Sequence, residues 1–143
     1  MYNESAVLLK KIYRNSKTAI DAMGEIAKKS GSFDFEHFLE KQQYKYFDIA
    51  EDANMQLRGL HRLPEDENPW TRIGFLTFLK LETMRNNTIN HLSEILIEGC
   101  MGGVNEMIKE IHKGGDIEPQ CLDLAHILIE TEQETIAILQ RFL

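Results

Sequence analysis

The sequence predicts an all-α protein: a four-helix bundle made of two helical hairpins, with an extra helix in the long connection between them. Three observations lead there. Apolar residues recur at three- and four-residue spacing along most of the chain. No alternating run of β-branched residues marks a strand. Stop signals divide the chain into four long helices of similar length, which can cover one another's apolar faces. With 143 residues, 43% of them hydrophobic, residues 1–143 are expected to form a single domain with a continuous core.

The first helix is expected over 4–29. Leu9, Ile12, Ile20, Met23 and Ala27 form its apolar stripe, Lys28 and Lys29 suit the negative end of the helix dipole, and Gly31 is a natural stop. Ser32 is a good cap for a second helix over 32–59, with Asp34 and Glu36 in its first turn. Its apolar positions are Phe35, Leu39, Tyr46, Ile49, Ala53 and Leu57. After a polar connection, Asn68-Pro69 signals another start, giving the extra helix over 69–86.

From Pro69 to Lys113 no residue forces a stop. A single helix of that length would reach roughly 67 Å at about 1.5 Å per residue, and neighbours of about 40 Å would leave it bare. The chain must therefore break. One candidate is Arg85-Asn86-Asn87-Thr88, where two weak helix formers precede a good cap; the other is the glycine cluster Gly99, Gly102, Gly103. The first is preferred, because it leaves a third long helix over 88–113. Gly114-Gly115 ends that helix, and Asp116 is the expected cap of a fourth over 117–141. The long helices then measure about 26, 27, 26 and 25 residues, within the few residues by which such boundaries err. Two tight hairpins joined by one long crossover is the ferritin-like arrangement. A plain up-down bundle kinked at the glycines is the alternative.

Charge narrows the function. The net charge is −7 and the sequence pI is near 5.2. Such a surface repels phosphate backbones and anionic membranes, so neither nucleic acid nor membrane is an expected partner. No apolar run approaches the ~20 residues of a membrane span, and the N-terminal stretch is not of signal-peptide type, so a cytoplasmic location is expected. Two cysteines, Cys100 and Cys121, are too few for a disulfide framework and are expected as thiols. Residues 1–31 carry +3 (six Lys/Arg, three Asp/Glu) and residues 118–143 carry −4 (one Arg, five Asp/Glu), which suggests that the first and last helices are neighbours.

The informative residues are polar ones on apolar stripes. Glu132 lies near the centre of the stripe Leu122, Ala125, Ile129, Ile136, Leu139 and Leu143. Gln42 and Tyr46 lie on the second helix's stripe and Ser16 on the first's. Counted from the hairpin turns, Ser16, Tyr46, Cys100 and Glu132 fall at one level at mid-bundle, with Gln42 one turn away. Ferritin-like di-metal sites occupy that level and use Glu-x-x-His pairs. None is present; the nearest spacing, Asp123 to His126, falls on the polar side of its helix. Only Glu132 remains as an inward carboxylate, so no metal or cofactor is expected, with Fe or Mn on Glu132 as the alternative. The favoured reading is a buried polar layer in which Tyr46 and Gln42 donate to Glu132 and fix helix register.

Other constellations read as solvated faces. His91, Glu94 and Glu98 lie opposite the third long helix's apolar stripe, and His126, Glu130 and Glu134 form a similar row on the fourth. Glu36, His37 and Glu40 open the second helix, where acids serve the dipole. No Ser-His-Asp or Cys-His arrangement can be argued from spacing, so an enzyme is not expected. Trp70, Phe75, Phe78 and Leu79 make the extra helix apolar enough to pack on the bundle and to offer a homodimer or protein-partner face. The glycine cluster lacks the strand and the Lys-Ser/Thr of a phosphate loop. Gly99 and Gly103, four residues apart, suit close approach of another helix or a bulky side chain.

Three stretches carry a resemblance. They are Gln42-x-x-x-Tyr46 with Asp48-Ile49-Ala50; His91-Leu92-x-Glu94-x-Leu96-Ile97-x-Gly99 leading into Gly103; and Glu132-x-Glu134-x-Ile136-x-x-Leu139 with Phe142-Leu143. Together they resemble an uncharacterised family of small ferritin-like helical proteins from clostridia and related bacteria. The resemblance implies the bundle fold and no particular activity. Members often carry Ser-Pro where this chain has Thr88-Ile89, a position suited to a helix start. The expected function is thus a non-enzymatic ferritin-like bundle that self-associates or binds a partner, with a polar layer around Glu132. The alternative is a degenerate metal-carboxylate protein with iron or manganese redox or storage chemistry.

Overall fold

A computed structural model describes residues 3–64 and 69–143. These form five α-helices, α1 (Glu4–Ser30), α2 (Phe33–Gly59), α3 (Pro69–Arg85), α4 (Ile89–Lys113) and α5 (Pro119–Leu139), followed by a 3-10 turn over Gln140–Phe142. The expected Asn68 cap lies outside the described residues.

Local chemistry accounts for the ends. Asn3 Oδ1 accepts from Ala6 N at 3.1 Å and Ser32 Oγ from Phe35 N at 3.3 Å, each using a free first-turn donor. Between these two helices Gly31 takes φ 62°, where a side chain would be strained. The chain breaks at Asn86-Asn87-Thr88 and not at the glycines. Thr88 Oγ1 accepts from His91 N at 3.3 Å, while Asn86 Oδ1 accepts from Thr88 N at 3.0 Å and from its hydroxyl at 2.9 Å. α4 then runs unbroken through Gly99, Gly102 and Gly103. The start of α5 differs from the expectation of an Asp116 cap. Glu118 is the N-cap, without a side-chain cap bond, and Pro119 opens the helix with a φ that suits its first turn. The loop residues turn instead to α1: Glu118 N donates to Ser5 Oγ at 2.9 Å, and Asp116 N donates to Glu4 Oε2.

Contacts between helix ends set their directions. The start of α1 meets the start of α5 through Ser5 and Glu118, and meets the end of α4 through Lys11 and Glu110 at 2.5 Å. Phe35, opening α2, packs edge-on against Phe142 at the chain's end, with centroids 5.0 Å apart. Hence α1 and α5 run one way while α2 and α4 run the other. A crossover that joins two helices of the same direction must travel the length of the bundle, and α3 lies in that crossover. The charge argument for neighbouring first and last helices is half met. α1 and α5 do touch, yet Lys11 pairs with α4 and Lys45 of α2 pairs with Glu134 of α5 at 2.7 Å.

The four long helices close one core. Leu8, Leu9, Ile12, Met23 and Ile26 of α1 meet Phe35, Leu39, Tyr46 and Leu57 of α2, Leu92 and Met107 of α4, and Leu128 of α5. Each side chain of this size contributes roughly 1.5–3 kcal/mol when fully buried. α3 sits outside, chiefly on α1, with Leu79 and Thr83 buried and Arg72 3.2 Å from Asp21. Among the described residues no helix is long and apolar enough to cross a membrane.

Candidate functional site

Ser16, Gln42, Tyr46, Cys100 and Glu132 are all buried. The structure brings four of them together, but not as expected. Gln42 Nε2 donates to Thr135 Oγ1 at 2.7 Å, and Tyr46 OH donates to the same oxygen at 3.4 Å. Thr135 in turn donates to Thr131 O at 2.7 Å. Tyr46 OH also lies 3.8 Å from Cys100 Sγ. Neither Gln42 nor Tyr46 donates to Glu132, so the layer's hub is Thr135. Its hydroxyl accepts both donors while its own proton goes to Thr131 O. Ser16 stays apart, its hydroxyl bound to Ile12 O of its own helix at 2.8 Å. Sequence reasoning missed Thr135 by drawing α5's stripe too narrowly. Leu124, Leu128, Thr131 and Thr135 continue that stripe at i+3 and i+4, while Leu143 is exposed.

Glu132 is 1% exposed, and its Oε2 accepts no hydrogen bond from the described residues. Its carboxyl packs directly on the bare backbone of α4. A Cβ at Gly103 would stand 2.6 Å from Oε2 and 2.8 Å from Oε1. Gly103 is thus the glycine that admits a close neighbour. Gly99 is exposed and has open space where a Cβ would project, so its expected role in close helix packing is not found. The two sit four residues apart, about 40° round the helix, and that rotation separates an α5-facing position from an outward one. Burial, reinforced by Glu106, raises the Glu132 carboxyl to about 8. Burial and the Glu132 charge push the Cys100 thiol up to about 12, partly opposed by Tyr46. Burial, Cys100 and Glu132 raise the Tyr46 hydroxyl above its usual value.

On the other side of Glu132 lies a cleft of about 560 Å³ between α1, α3 and α4. Ala19 and Met23, Phe75, Phe78 and Leu79, and Ile95 supply its apolar wall. Glu82, Glu94, Glu98 and His91 also line it, and Glu132 reaches it from α5. The reading of a solvated face holds for Glu94 and Glu98 and is corrected for His91. Glu94 and Glu98 are exposed, but α3 lies across from them, and His91 Nε2 is buried 3.4 Å from Glu82 Oε2. The crossover helix creates this cleft, and helical periodicity within α4 carries no trace of it. His126 and Glu130 are exposed, as is Glu134 in its pair with Lys45. Glu36, His37 and Glu40 are exposed too.

The donor set does not suit a di-metal centre. Among the described residues no three His, Cys, Asp or Glu side chains are grouped to hold a metal ion. Where a carboxylate-bridged centre needs a second acid from α4, this chain presents Gly103. No family model, curated protein or solved structure matches this chain.

Proposed function

We propose that the chain is a non-enzymatic, self-associating helical bundle of ferritin-like type, and that two copies pair through the outer face of α3. Two hairpins with α2 and α4 parallel, joined by a crossover along the bundle, support the ferritin-like reading. The observation that carries self-association is a stripe on α3. Trp70, Ile73, Leu81 and Met84 are 80%, 55%, 63% and 78% exposed, and with exposed Thr77 they form one line opposite buried Leu79. Phe78, 54% exposed, flanks it. Phe75, by contrast, is half-buried against the core and belongs to the inner face.

The stripe is palindromic about Thr77. Ile73 and Leu81 stand four residues either side, and Trp70 and Met84 seven. Two α3 helices packed antiparallel would set Trp70 against Met84 of the second copy, Ile73 against Leu81, and Thr77 against itself on the two-fold axis. That self-matching is what an isologous dimer requires, and it favours a second copy over an unlike partner. Light scattering during gel filtration should report a dimer for the full chain and a monomer for Leu81→Glu at unchanged helicity. Thr77→Cys should cross-link two copies on mild oxidation, because only a position near the axis meets its own equivalent within disulfide reach. Thr71→Cys, exposed but off the stripe, should not. A wild-type monomer at high concentration, or equal cross-linking by both variants, would refute the pairing.

A further inference from the structure

We propose that the cleft between α1, α3 and α4 is a binding site for an amphipathic ammonium, a molecule with an apolar body and a protonated amine head. The apolar body would rest on Met23, Phe75, Leu79 and Ile95, and the head would meet Glu132.

Three observations carry this, and none depends on pairing through α3's outer face. First, the cleft's volume of about 560 Å³ falls within the roughly 300–1,000 Å³ typical of small-molecule sites, and its wall combines apolar side chains with a few polar ones. Second, the charges lining it are of one kind. Glu82, Glu94 and Glu98 are acidic, and His91, beside Glu82, is the single basic side chain among the described residues lining it. That field attracts cations and repels carboxylates and phosphates. Third, Glu132 is buried with an acceptor oxygen that takes no hydrogen bond from the described residues, a costly state unless a donor arrives. An ammonium supplies the donors, and its charge favours release of the carboxyl's proton. The neighbouring polar groups do not compete for the carboxylate, because Gln42 and Tyr46 are bound to Thr135. A metal ion is a poorer match, since the cleft offers no cluster of ligating side chains.

The test titrates the full chain at about pH 8, where the Glu132 carboxyl is already partly ionised and an alkylammonium, like that of lysine, keeps its proton, with three molecules of one shape: phenylbutylammonium, phenylbutanol and phenylbutanoate. Calorimetry gives affinity, and amide chemical shifts give location. The ammonium is expected to bind at least about tenfold more tightly than the alcohol, with shifts centred on Ala19, Ile95 and Gly99. The butanoate is expected not to bind. Glu132→Gln retains the shape of the side chain and should bring the ammonium down to the alcohol's affinity. Phe78→Ala, which trims a partly exposed part of the wall, should weaken ammonium and alcohol alike and so preserves a readout if Glu132→Gln folds poorly. Equal binding of ammonium and alcohol overturns the proposal. So do binding of neither, a preference that survives Glu132→Gln, or shifts scattered over the acidic surface.

Discussion

Thr135 and Glu132 lie three residues apart on the buried side of α5, and their surroundings differ completely. Around Thr135 the bonds close: Gln42 and Tyr46 donate to its hydroxyl, and it donates to Thr131 O. Around Glu132 an acceptor oxygen lies against bare Gly103 backbone, with no donor among the described residues. One turn of helix thus separates a satisfied polar layer from an unsatisfied carboxyl. Both are buried at mid-bundle, so burial alone does not distinguish structure from site. The difference lies in whether partners come from within the fold, and three perturbations would sharpen it.

The largest effect is expected at Glu132 and depends on pH. An ordinary glutamate titrates near 4.5, and this one is raised to about 8 by burial and then by Glu106. Tyr46 from α2 and Cys100 from α4, its other titratable neighbours, are raised as well. Between 4.5 and 8 the folded chain holds a proton that the unfolded chain has released. Stability therefore falls as pH rises through that window, by up to about 1.4 kcal/mol per pH unit. Below the window the contribution is constant, and above it the loss is complete. Glu132→Gln should flatten this slope, so urea unfolding at both ends of the window should show the variant gaining on the wild type at the higher pH. Parallel profiles would remove the buried ionisable carboxyl from the account.

A smaller loss is expected on the satisfied side. Thr135→Val conserves shape but leaves the Gln42 amide and the Tyr46 hydroxyl without their acceptor. Each orphaned buried donor costs on the order of 1–3 kcal/mol, read as a lower midpoint in the same urea assay. An unchanged midpoint would mean that both donors find other acceptors and that Thr135 is not the hub. The smallest effect contrasts two glycines of α4. Gly99→Ala has open space and should stabilise by about 1 kcal/mol through helix propensity. Gly103→Ala should not show that gain, because its methyl would meet the Glu132 carboxyl. Combined with Glu132→Ala the gain should return, and calorimetric melting of the four variants would measure that coupling. Equal effects of the two alanines would show that Gly103 is not a contact of Glu132.

Much of the framework was legible in the sequence. Periodicity, caps and the need to cover a long helix located the helices and put the break before Thr88, because those signals are local and act through backbone hydrogen bonds. Counting from the turns put Ser16, Tyr46, Cys100 and Glu132 at one height, because helices rise at a constant pitch; the last three come together, while Ser16 bonds within its own helix. The α5 start escaped, since proline at the first helical position outweighed an aspartate three residues earlier as a boundary signal. The partners within the layer escaped as well. Height along a helix is set by residue number, but which of two side chains meets a donor depends on rotation and lateral packing.

The sequence by itself therefore determined the helical class, the acidic balance, most of the residues that lie inside and the presence of an apolar crossover helix. These follow from composition, periodicity and capping. Only the tertiary structure decided that Thr135 takes the donors meant for Glu132, that Gly103 and not Gly99 receives a neighbour, and that α3 turns an apparently solvated face of α4 into the wall of a cleft. All three depend on the distance between helices far apart in sequence, which the pattern within one helix does not encode.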